Sequence, residues 1–138
     1  NWLEIENILV LAGKRKWPAT DFKTGKLPSL KTAKDNMTRA ISDIKSENDD
    51  MDFWEEISVA NAALCLWLLE GKNTKQVDGD RVADTYMSVW NMAGSQNKKM
   101  AEIEHFDFLI DAYSHLVKLP KMVKTFNKIK TSLKNSLK

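Results

Sequence analysis

Lys14, Arg15, Lys16 and Trp17 stand together ahead of Pro18, with Phe22, Lys23 and Lys26 close behind. Cations interleaved with aromatic rings suit single-stranded nucleic acid, because the cations neutralise phosphates while the rings stack on bases. A second basic group closes the chain, where Lys118, Lys121, Lys124, Lys128, Lys130, Lys134 and Lys138 surround an apolar stripe. A basic amphipathic helix of this kind can lie along a phosphate backbone, enter a partner's groove or dock on an anionic membrane. Membrane docking fits least, since the stripe carries one aromatic residue, Phe126, and no Trp. Each basic group also has a plainer role. Trp17 and Phe22 can anchor a loop to the core, and the stripe of the last helix can pack on its own domain with the lysines outward.

Carboxylates form the third group. Asp52, Glu55 and Glu56 cluster at the start of one predicted helix, and Glu104, Asp107 and Asp111 fall on one face of another. Two helices presenting carboxylates are able to hold Mg²⁺ through oxygen ligands and position nucleotide phosphates. The pairs Asp52-x-x-Glu55 and Glu104-x-x-Asp107 loosely resemble motifs of the all-α nucleotide pyrophosphohydrolases. They depart from that family in having Asp where its first motif has Glu, and in the whole helix between the two halves. That resemblance implies the enzymatic alternative, a Mg²⁺-dependent nucleotide pyrophosphohydrolase with Asp52, Glu55, Glu104 and Asp107 on the metal. The plainer role of these carboxylates is a solvated acidic face.

Other constellations are incomplete. Glu102-x-x-His105 is half of the motif that carboxylate-bridged di-metal bundles use, but Ala112 stands three residues before the other histidine, His115. Asp78-Gly79-Asp80 lacks the remaining ligands of a calcium loop and is expected to be a turn and helix cap. Cys65, between Leu64 and Leu66, is expected to be a core thiol. The sequence contains no Gly-rich phosphate loop, nucleophile elbow or Ser/His/Asp arrangement. Catalytic residues, metal ligands and cofactors are therefore not expected in the principal reading.

These side chains are carried by 138 residues, enough for one domain with a core. Hydrophobic residues make up 43%, charged residues 29%, and Gly and Pro are few, which excludes a disordered or fibrous chain. The longest apolar run, Ala62 to Leu69, is far short of the roughly 18 residues of a membrane span. A single cysteine excludes an internal disulfide framework and a Cys-based zinc site. The net charge of +2 conceals segregation: residues 1–13 carry −2, residues 14–45 carry +6, residues 46–117 carry −9 and residues 118–138 carry +7. Basic ends around an acidic middle can fold onto that middle, pair with other copies, or contact a polyanion.

The apolar spacing is helical throughout. Trp2, Ile5, Leu9 and Ala12 predict a first helix stopped at Gly13, followed by a basic irregular loop over 13–28. Ser29 is an N-cap for a second helix with Leu30, Ala33, Met37, Ala40, Ile41 and Ile44 inward. A third, about 52–70, is apolar on nearly all sides, with Phe53, Trp54, Ile57, Ala60, Leu64, Trp67 and Leu68 on its main face and Gly71 as its cap. After a turn at Val77–Asp80, a fourth helix places Val82, Ala83, Tyr86, Val89, Trp90 and Ala93 inward and stops at Gly94. A fifth begins at Ser95, with Met100, Ile103, Phe106, Ile110, Tyr113 and Val117 on one side. Pro120 opens the last, about 119–137 within the basic segment 118–138.

The expected fold is thus all-α, a compact bundle of five to six helices around a central apolar helix at about 52–70. The chain opens at Asn1 without an initiator Met or the features of a signal peptide, so the expectation is one domain, 1–138, cut from a longer intracellular, cytoplasmic polypeptide. Its expected role is a non-enzymatic interaction module that binds RNA or DNA non-specifically and assembles with itself or a protein partner. The candidate contacts are Lys14, Arg15, Lys16, Trp17, Lys23, Lys26, Lys121, Lys124 and Lys128. A protein–protein adaptor without nucleic-acid binding is the other non-enzymatic alternative.

Overall fold

A computed structural model describes residues 2–14, 16–17, 29–47, 52–90 and 96–137. The described residues form six α-helices and no strand: α1 (Trp2–Leu11), α2 (Leu30–Glu47), α3 (Phe53–Leu69), α4 (Gln76–Trp90), α5 (Gln96–His115) and α6 (Pro120–Asn135), with a 3₁₀ turn at Gly71–Asn73. The expected cap at Gly94 and start at Ser95 lie outside the described residues.

Local chemistry sets most boundaries. Asp52 accepts a hydrogen bond from the Glu55 backbone N–H at 2.9 Å, and Glu55 accepts one from the Asp52 N–H at 3.2 Å. This capping box satisfies two donors that the first turn of α3 leaves without helical partners. Ser29 Oγ accepts from the Thr32 N–H at 3.3 Å and starts α2 in the same way. Gly13 and Gly71, with φ of +78° and +58°, follow α1 and α3 in the left-handed conformation that ends many helices. Pro120 occupies the first position of α6, where its missing N–H costs nothing.

Successive helices alternate in direction. Lys34 of α2 pairs with Glu70 at the end of α3, Tyr86 of α4 donates to Asn61 of α3, and Lys130 of α6 pairs with Asp107 of α5. The chain order also makes α4 and α6 parallel neighbours. Gln76 and Thr125 meet at their starts, and Trp90 and Ser136 come together at their ends. Helix α3 packs against α1, α2 and α4, and the main core extends from it through Tyr86, Phe106, Tyr113 and Phe126. Each large side chain removed from water here contributes about 1.5–3 kcal/mol, which drives the bundle together.

Four expectations need correction. Val77–Asp80 is not a turn but the first turns of α4, and Gly79 is buried inside it. A Cβ on Gly79 would lie 2.8 Å from the Trp67 ring and 3.0 Å from Thr125 Oγ1, so glycine is there for close packing. Trp54 is 56% exposed, while the neighbouring Phe53 is buried as its spacing predicts. Met100 is 57% exposed, while Lys99 and Glu102 are buried on that helix. Helix α1 is likewise turned from its apolar spacing: Ile5 is exposed, and Glu4, Asn7 and Ile8 face inward. In the last two cases the interior supplies polar partners that outweigh the apolar pattern.

Candidate nucleic-acid interface

The stripe of α6 (Met122, Phe126, Ile129 and Leu133) is buried in the bundle's own core. That burial turns the lysine-bearing side outward, since residues three and four apart share a helix face. Lys121, Lys124 and Lys128 are all exposed. Lys128 Nζ lies 3.7 Å from Asp80, and Lys130 pairs with Asp107, so part of the basic tail does fold back onto the acidic middle. Among the described residues no carboxylate lies within 4.0 Å of Lys121, Lys124 or Lys134. Lys118, just before α6, holds a φ of +61°, a conformation that favours glycine.

The other basic group is only partly described. Lys14 and Lys16 are exposed, whereas Arg15, Lys23 and Lys26 lie outside the described residues. Trp17 is half-buried and packs against the small cluster of Ala33, Cys65 and Leu69. Lys14 follows the end of α1, and Lys121 stands at the start of α6. Asn7 ties α1 to both Leu68 and Tyr113, so these two helix ends lie at the same end of the bundle.

Three of the four carboxylates of the enzymatic alternative have other partners. Asp52 and Glu55 form the capping box of α3, Asp107 meets Lys130, and Glu104 is exposed on α5. Among the described residues no group of three or more His, Cys, Asp or Glu is placed to hold a metal ion.

Sequence spacing singled out Glu102-x-x-His105 but missed the polar network that this pair joins inside the bundle. His105 Nε2 lies 2.7 Å from Glu4, its Nδ1 lies 3.4 Å from Glu102, and Lys98 Nζ lies 2.7 Å from Glu102. Burial opposes the imidazolium, but hydrogen bonds to Glu102 and Glu4, and their charges, push the His105 pKa up to about 9. Burial would also raise Glu102, yet hydrogen bonds from His105 and Lys98 hold it below its ordinary value. With both ring nitrogens donating, the imidazolium has no lone pair with which to act as a general base near neutral pH. Burial, with the Glu4 charge adding to it, pushes the Cys65 thiol up to about 12, so it stays a thiol.

Two further buried polar groups fix helix ends. Asn7 Nδ2 donates to the Leu68 carbonyl at 2.7 Å and to the Tyr113 hydroxyl oxygen at 2.9 Å. Lys99, 4% exposed, donates to the carbonyls of Trp90 at 3.5 Å and Ser136 at 3.3 Å. Those carbonyls close α4 and α6, where helix dipoles present negative charge to the ammonium. The sequence signal for these residues was faint: Glu4 and Asn7 three apart in a mostly apolar helix, and a Lys-Lys pair in the first turn of α5.

No protein-family model, curated protein or solved structure matches the chain. Among the described residues no helix is long and apolar enough to cross a membrane.

Proposed function

We propose that the chain is a non-enzymatic helical module that binds single-stranded nucleic acid through the lysine side of α6, without strong sequence preference. One observation carries this reading: the apolar stripe of α6 is consumed by its own core, while Lys121, Lys124 and Lys134 face outward without a carboxylate partner among the described residues. Lysines along one helix neutralise successive phosphates and release their counterions, which gives affinity with little base reading. Lys14 and Lys16 are exposed at the end of the bundle where α6 begins. Replacing Lys121, Lys124 and Lys134 together by Ala should weaken binding of a labelled single-stranded oligonucleotide at least tenfold at low salt and leave the helical content unchanged. An unchanged affinity would remove α6 from the interface.

A protein-binding adaptor is the second reading. It is favoured by Met100, Phe108 and Leu116, three large apolar side chains left exposed on and just after α5. In that case a self-association or partner contact would form there, and oligonucleotides would not compete with it.

A further inference from the structure

Helices α5 and α6 pack side by side in opposite directions, and the Lys130–Asp107 ion pair bridges the seam between them. Glu104 and Asp111 stand one turn to either side of Asp107 and share its side of α5, since residues three and four apart are neighbours on a helix. Met100 and Phe108 interrupt this acidic row, 57% and 48% exposed. On α6, Lys134 lies one turn beyond Lys130, and Lys124, Asn127, Thr131 and Lys134 follow one another at spacings of three and four, all exposed. The outer surface of this helix pair is therefore two rows of opposite sign, and the acidic one carries large apolar side chains.

The bundle itself leaves most of these charges unmet. Among the described residues no cation lies within 4.0 Å of Glu104, and no carboxylate lies that close to Lys124 or Lys134. Asp111 approaches His115 at 3.6 Å, with both side chains more than three-quarters exposed. Lysine stems are able to cover apolar surface while their ammonium groups reach a carboxylate, and an ammonium is also attracted to the face of a ring such as Phe108. A lysine row thus suits the α5 row in both charge and apolar character, and the chain carries such a row on the adjoining helix.

We propose that two copies of the chain pair through this surface about a twofold axis parallel to the helices, so that α5 of each copy lies on α6 of the other. Such an axis keeps every residue at its own level along the helices, so the levels within one copy fix the contacts between two. Measured from the Asp107–Lys130 pair, Glu104 and Lys134 lie about 4.5 and 6 Å in one direction. Asp111 and Lys124 lie about 6 and 9 Å in the other. Glu104 therefore meets Lys134 of the second copy, Asp111 meets Lys124 of the second copy, and the twofold axis makes each contact twice. Placing α5 on α5 would set acid against acid, and placing α6 on α6 would set lysine against lysine, which is unfavourable. Two helices about 10 Å across and about 24 Å long offer roughly 500 Å² per copy, at the low end for a specific interface. The pairing is accordingly weak and reversible, with a Kd on the order of 100 μM at low salt. It does not rest on the phosphate contact proposed above, but it draws on two of the same lysines, so a bound strand and a second copy exclude each other.

Sedimentation velocity of the protein alone, without nucleic acid, tests the pairing. At low salt the average mass should rise with concentration up to about 1 mM, approach twice that of one chain without passing it, and fall back as salt is added. The variant carrying Glu104→Lys and Asp111→Lys, and the variant carrying Lys124→Glu and Lys134→Glu, should each self-associate at least tenfold more weakly with unchanged helical content. Mixed in equal amounts, the two should associate again, because lysines on α5 of one then face glutamates on α6 of the other and the native signs are kept in the second contact. A mass that stays at one chain would overturn the pairing and leave the α5 row to a basic segment of another protein. Growth past two chains would overturn the twofold arrangement, and two variants that fail to associate when mixed would overturn the assigned contacts. None of these results bears on strand binding, which stands or falls on the oligonucleotide measurements.

Discussion

His105 Nε2 lies 2.7 Å from the Glu4 carboxylate across 101 residues of sequence, and this contact closes the first helix onto the fifth. Glu102 and Lys98 complete a row of two anions and two cations when His105 is protonated. The row secures α1 to α5, and α5 is the helix on which α6 packs. That row pairs its charges inside the bundle, buried Lys99 is met by two carbonyls, and Lys121, Lys124 and Lys134 stand on the outside of α6 with no carboxylate partner among the described residues.

The pairing predicts a pH dependence of stability. The folded pKa of His105, about 9, lies above the ordinary value of 6.5, so folding favours the protonated ring. Its contribution is complete below about pH 6.5 and is lost as the pH rises through about 9. Urea unfolding should give a stability that falls by up to about 3 kcal/mol over that range. His105→Gln should flatten this decline. Glu102, held low, contributes in the opposite sense: its share is present above its unfolded pKa, near 4.5, and is lost as the pH falls through the folded value. A stability that rises from pH 6.5 to 9 would contradict the paired arrangement.

Asn7→Ala should destabilise the protein by on the order of 2 kcal/mol, because it leaves the Leu68 carbonyl and the Tyr113 hydroxyl oxygen without their buried donor. Denaturant unfolding at neutral pH reads this directly. Asn7→Leu should not restore the loss, since the two polar partners remain.

Gly79→Ala would ordinarily favour a helix interior by about 1 kcal/mol. Here the new methyl meets the Trp67 ring at 2.8 Å, and overpacking of this kind costs about 1–3 kcal/mol. A net loss of stability is expected. A more stable variant would mean that α3 and α4 can separate at this point without penalty.

Cys65 is 1% exposed, and its thiol pKa is pushed up to about 12, so little thiolate forms at pH 8. A thiol reagent should label the folded protein only at the rate of opening and should label it rapidly in denaturant. Fast labelling of the native state would show that the Ala33–Cys65–Leu69 cluster is open.

The helix inventory was legible because it rests on local signals. Ser29, Asp52, Gly71 and Pro120 each mark a boundary through a cap or a fixed backbone angle. The buried stripe of α6 was legible too, since Met122, Phe126, Ile129 and Leu133 keep helical spacing. What spacing did not reveal was the rotation of α1 and of the start of α5, where Glu4, Asn7, Lys99 and Glu102 point inward. Periodicity counts such residues as outward-facing, and only partners distant in sequence reverse that. Gly79 misled for a related reason, because glycine between two aspartates has the composition of a turn, while its actual cause is the Trp67 ring from another helix. The candidate interface was legible as a charge run, and the packing of its apolar side on the same domain was among the roles that the stripe's spacing offered.

The most direct test of the central claim is anisotropy of a labelled single-stranded oligonucleotide with the wild-type protein across a salt series. With several lysines of α6 on phosphates, log affinity should fall linearly with log salt, with a slope of about −2 or steeper at roughly 0.7 per neutralised phosphate. No binding at low salt, or binding that salt does not weaken, would contradict the claim that α6 presents its lysines to a phosphate backbone.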